Sequence, residues 1–135
     1  MSIINEIIRV EPDGSLSFGD YESAEKKKSE LEAGGNQYYV KTHADITRLE
    51  KNGMLLIETV PGAAVHGLAV EAGTTAFSLE GLEDTRVTLE LAPNEVYRVV
   101  INGTNIGNVK SNMSGKVIFS MELDATQQSV EVTKA

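Results

Sequence analysis

Between Val87 and Leu123 the chain alternates apolar and polar residues in short runs broken by turn chemistry, and few folds accept that pattern. Val87, Leu89 and Leu91 share one face of an extended segment, with Thr88 and Glu90 on the other. Tyr97, Val99 and Ile101 repeat the alternation up to Asn102-Gly103, the pair best suited to positive φ at both corners of a type I′ hairpin turn. Ile106 and Val109 lie on the return strand. Ser111 to Gly115 then turns the chain before Val117, Phe119, Met121 and Leu123 alternate with Lys116, Ile118, Ser120 and Glu122. This third of the chain is predicted to be an antiparallel meander with one wet face.

The remaining residues follow the same grammar. Ile8 and Val10 face Leu16 and Phe18 across Pro12-Asp13-Gly14, a first hairpin. Tyr21 to Ala33 is charged and lacks an apolar stripe, so it is predicted to be a mobile loop entering a strand near Leu31, with a helix capped at Ser23 as the alternative. Gln37 to Thr42, Ile46 to Glu50 and Met54 to Val60 form two hairpins, the second closed by Asn52-Gly53. Ala64 to Val70 and Thr74 to Leu79 pair next, with Leu68, Val70, Phe77 and Leu79 inward, and Val130 and Val132 mark a last short strand. About ten or more short strands in one domain, 1–135, call for an all-β fold, a two-sheet antiparallel β-sandwich of jelly-roll or Ig-like type, with a closed barrel as the alternative.

Composition removes several functions. Without cysteine there is no disulfide, thiolate zinc site or cysteine nucleophile. A formal net charge of -8 disfavours phosphate backbones, so no nucleic acid is expected; Lys26-Lys27-Lys28 sits among glutamates and reads as a solvated face. No apolar run is long enough to span a membrane, and Glu6 and Arg9 stand where a secretory apolar region would lie, so a cytoplasmic protein is expected. Asn102-Gly103-Thr104 and Asn112-Met113-Ser114 match the glycosylation sequon but read as turns.

The segments 8–19, 50–54 and 60–66, together with Asn105-Ile106-Gly107 and Ser114-Gly115-Lys116, resemble a family of small uncharacterised bacterial proteins, some of which carry an endosialidase label. The resemblance covers nearly the whole chain and implies a fold, with no motif of established role. The label implies an arginine triad and a tyrosine nucleophile. Arg9, Arg48, Arg86 and Arg98 are scattered over separate strands and read as solvent-face residues, so no catalytic residue is carried over. The hairpins from Tyr97 to Phe119 are also similar to sandwich modules appended to polysaccharide-active enzymes.

Local chemistry is sparse. His43 and His66 are the only histidines, with no HxH or HExxH spacing, and no GxSxG, Walker or GxGxxG motif occurs; no metal or cofactor is expected. The candidate ligand-binding residues are Tyr21, Tyr39, His43, His66 and Tyr97. Surplus apolar surface at Ile3, Ile4 and Ile7, and at Leu55 and Ile57 within the unbroken run Met54 to Ile57, predicts a homo-oligomer, most simply a dimer. The leading expectation is therefore a non-enzymatic protein acting by self-association or protein binding. An accessory carbohydrate-binding module comes second, and a small carbohydrate-active enzyme third.

Overall fold

Strand follows strand in the computed structural model, which describes residues 7–71, 73–124 and 126–135. The elements are β1 (Ile8–Val10), β2 (Leu16–Phe18), β3 (Lys27–Ala33), β4 (Asn36–His43), β5 (Ile46–Lys51), β6 (Met54–Val60), β7 (Ala64–Glu71), β8 (Thr74–Glu80), β9 (Thr85–Glu90), β10 (Val96–Ile101), β11 (Thr104–Lys110), β12 (Lys116–Met121) and β13 (Gln128–Lys134). No helix occurs among the described residues, so none is long and apolar enough to cross a membrane.

Two antiparallel sheets form, a seven-stranded one in the order β1-β2-β7-β8-β13-β10-β11 and a six-stranded one in the order β12-β9-β6-β5-β4-β3. They are not closed into a barrel; the fold is a β-sandwich. Phe18, Val65, Leu79, Val99 and Val132 from the first sheet meet Val40, Leu49, Ile57, Val87 and Val117 from the second in one buried core. Asn52 and Gly53, and Asn102 and Gly103, all have positive φ, so both Asn-Gly pairs make the expected type I′ turns.

Three expectations need correction. Residues 87–123 are not one meander: β10 and β11 do form a hairpin, but β9 and β12 pair with each other in the opposite sheet. The chain crosses the sandwich at residues 91–95, where Ser111 Oγ donates to Ala92 O at 2.6 Å and Ala92 N–H donates to the Tyr97 hydroxyl at 3.1 Å. Second, Lys27–Ala33 is a full strand, in register with β4 from Lys27 opposite Thr42 to Ala33 opposite Asn36, so the charged loop is shorter than expected. Third, Val70 lies exposed at the end of β7, whereas Leu68, Phe77 and Leu79 are buried as expected.

The run Met54 to Ile57 has a local explanation. Glu50 pairs with Leu55 and Leu49 with Ile57, which leaves Leu56 as the extra residue of a bulge. Leu56 packs on the core beside the buried Ile57, while Leu55 stays half-buried on the outer face. The expected interface residue Ile57 is thus a core residue, because the bulge lets two consecutive side chains turn inward. Ile7 also packs against the core, and Ile3 and Ile4 lie outside the described residues.

Hydroxyl chemistry anchors one end of the sandwich. Thr42 and Thr47 hydroxyls meet at 2.8 Å, Thr47 Oγ1 donates to Ala63 O at 2.8 Å, and Asp20 N–H donates to Thr42 Oγ1 at 2.9 Å. Inward threonines thereby tie down the connection from β2 to β3, which carries Tyr21 across from one sheet to the other.

Candidate functional site

The two outer faces of the sandwich are built from different residues. On the six-stranded sheet, long charged side chains neutralise one another: Arg48 bridges Glu50 at 3.2 Å and Glu58 at 2.8 Å, and Lys116 approaches Glu90 at 3.6 Å. Such a face is solvated and self-satisfied. On the seven-stranded sheet the register instead brings short side chains side by side. Ser17 on β2 lies beside the bulge at His66 and Gly67, His66 is opposite Ser78, and Ser78 is opposite Ser129. Ala76 opposite Glu131 forms the next row.

Short residues in the middle of a sheet face leave a trough. An open groove of about 1030 Å3 runs there, with Arg9, Glu11, Asp13, His66, Gln127 and Glu131 around the serines. Its walls are held locally. Glu11 Oε2 accepts from the Ser17 hydroxyl and from Arg9 Nε, the latter at 3.1 Å, and Gly67 N–H donates to Ser17 Oγ at 3.0 Å. The Ser17 hydroxyl, with Arg9 second, holds the Glu11 carboxyl below its ordinary range. Asp13 is lowered likewise by the hydroxyl and backbone N–H of Ser15. The groove therefore keeps two ionised carboxylates along one wall.

A buried carboxylate closes one end. Glu80 shares the outer face with Ser78, yet it is 1% exposed because Tyr21, packed with Ala64, covers it. Both carboxylate oxygens are engaged: Tyr21 Oη donates to Oε2 at 2.8 Å, and His66 Nε2 lies 2.7 Å from Oε1. Burial first, and the Glu80 carboxylate second, push the Tyr21 phenol well above its ordinary range, so it remains a donor. A carboxylate oxygen accepts, so the His66 Nε2 proton is directed at Glu80 and the ring is held through that nitrogen. This chain of three orients an imidazole at the groove, and its side chain is 14% exposed there.

Of the residues selected from sequence, the structure brings Tyr21 and His66 together through Glu80, and only His66 lines the groove. Tyr97 is buried in the core with its hydroxyl on Ala92 N–H. His43 is buried at the end of β4, 4.0 Å from Asp45, and Tyr39 lies half-buried on the six-stranded sheet opposite Glu30 and Glu50. These three are not parts of one site. Sequence reasoning missed Glu80 and the serine row; the signal for the latter was Ser15, Ser17, Ser78 and Ser129 at alternating strand positions, where other faces carry Lys and Glu. No group of three or more metal-ligating side chains occurs among the described residues. Comparisons with protein families, with curated proteins and with solved structures find no match for this chain.

Proposed function

We propose that this protein is a non-catalytic binding module whose seven-stranded sheet takes an uncharged, hydroxyl-rich chain, an oligosaccharide, along its serine-lined groove. The observation that carries this reading is the contrast between the faces. Long ion-paired side chains cover one sheet, whereas a row of serines and alanine leaves the other open. Serine hydroxyls, the His66 imidazole and the Glu11, Asp13 and Glu131 carboxylates supply donors and acceptors of the kind that read sugar hydroxyls. The acidic wall selects against negative charge: Glu11, Asp13 and Glu131 line the groove with one arginine, Arg9, which Glu11 already engages. Anionic glycans are repelled, and neutral ones are not.

A glycan array carrying neutral and acidic chains, followed by titration calorimetry, tests the reading. Neutral oligosaccharides are expected to bind and sialylated or uronic ones to fail. Ser78→Arg, which fills the centre of the trough from a half-buried position on the outer face of β8, is expected to remove binding while the chain stays folded. Silence of the array to every neutral glycan, or undiminished binding by Ser78→Arg, would reject it.

A further inference from the structure

A β-sandwich exposes four sheet edges, and each edge strand presents backbone N–H and C=O groups that a second chain can pair with unless something prevents it. Three of the four edges here carry such a device. β1 is three residues long. β3 places Lys27, Lys28, Glu30 and Glu32 along its seven residues. β11 is bulged at Ile106, between Gly107 opposite Val99 and Asn105 opposite Val100, and its Gly107 N–H is capped by Asn105 Oδ1 at 2.9 Å.

The fourth edge, β12, has none of these. It runs in unbroken register with β9 from Lys116 opposite Glu90 to Met121 opposite Thr85, with no proline and one charge at its end. Leu91 N–H donates to Gly115 O at 2.7 Å, so the odd-numbered residues of this strand face β9 and the even-numbered ones turn their backbone groups outward. Those of Lys116 are used, its N–H by Asn112 Oδ1 and its C=O by Asn112 N–H. Among the described residues, nothing engages the outward groups of Ile118 and Ser120. The side chain of Ile118 is also left in water, 46% exposed.

We infer that β12 is the pairing edge for a second copy of this chain. An antiparallel pair centred on Phe119 sets Ile118 of each copy opposite Ser120 of the other and satisfies their outward N–H and C=O groups in four hydrogen bonds. In that register every cross-strand pair is compatible. Lys116 faces Glu122 of the second copy at both ends, Val117 faces Met121, and Phe119 faces Phe119 across the axis. Phe119 and Met121, each 7% exposed at this edge, close the remaining gap in the core. The two-fold axis stands perpendicular to the joined sheet, so the outer grooves of both copies open on the same side. This assembly does not depend on what the groove binds.

Light scattering after size exclusion, at about 100 micromolar protein, is expected to give twice 14.6 kDa. Ser120→Pro removes one outward N–H and none used by β9, and Ile118→Lys places a charge at the contact. Each is expected to yield a monomer with the melt of the folded chain retained, and Glu122→Lys to weaken the dimer by at least about tenfold. A wild-type mass of 14.6 kDa at that concentration, or a dimer that survives both Ser120→Pro and Ile118→Lys, overturns the inference.

Discussion

Two glycines with similar φ differ sharply in what surrounds them, which separates backbone strain from steric exclusion. Gly103 has φ 81° and open space where a Cβ would lie. Gly115 has φ 86°, and a Cβ there would stand 2.2 Å from Leu91 O. Gly103→Ala is expected to cost about 1 kcal/mol, the left-handed penalty alone. Gly115→Ala is expected to cost roughly 3 kcal/mol, because the strand crossing must also shift. Chemical denaturation of the two variants checks the order, and equal losses would show that the Leu91 contact yields freely. Thr59 offers the opposite case: it is fully buried opposite Thr47 and Val87, and its Oγ1 has no partner among the described residues. Thr59→Val exchanges a desolvated hydroxyl for a methyl group of the same shape, and about 1 kcal/mol of added stability is expected, or about 3 °C in the melting temperature.

At the scale of elements, the bulge in β6 divides neighbouring residues between two environments. Leu55→Glu joins an outer face already charged and is expected to change stability by less than about 1 kcal/mol. Ile57→Glu, 1% exposed at the parent residue, is expected to leave the chain unfolded, since a buried carboxylate without a partner costs more than the fold holds in reserve. Circular dichroism of the pair decides it; a folded Ile57→Glu would mean that the strand slips register. The hairpins around Asn52-Gly53 and Asn102-Gly103 were legible in the sequence because a two-residue turn fixes both its own geometry and the register beside it. β3 was not, because an edge strand with Lys27, Lys28, Glu30 and Glu32 turned to water has little apolar alternation, and its order comes from β4. Alternation also cannot tell which sheet a strand joins, so the crossings before β10 and β12 were hidden. The groove was half legible: His66 was a named candidate, but Glu80 is one of 20 acidic residues, and its partner Tyr21 lies 59 positions away.

For the whole molecule, Tyr21 is the side chain through which a crossing between the two sheets grips the face of one of them, and its ionisation links that grip to pH. In the unfolded chain a tyrosine loses its proton near the ordinary value of 10.0, whereas burial and the Glu80 carboxylate hold the folded Tyr21 protonated well above it. Between those two points the unfolded state binds fewer protons than the folded one. Stability is therefore present in full below about pH 10 and falls as pH rises beyond it, by up to about 1.4 kcal/mol per pH unit for this group. The formal net charge of -8 adds self-repulsion at alkaline pH, but salt screens that contribution between exposed charges and leaves the buried one. Tyr21→Phe separates the two effects. At neutral pH the variant is expected to lose about 2 kcal/mol, since Glu80 Oε2 keeps its burial and loses its donor. Above about pH 10 its stability should decline less steeply than that of the parent chain, and the difference in slope should persist in high salt. Denaturant titrations at successive pH values supply both slopes; parallel curves would mean that Tyr21 ionises in the folded chain as it does in water, and that the crossing does not hold Glu80 dry.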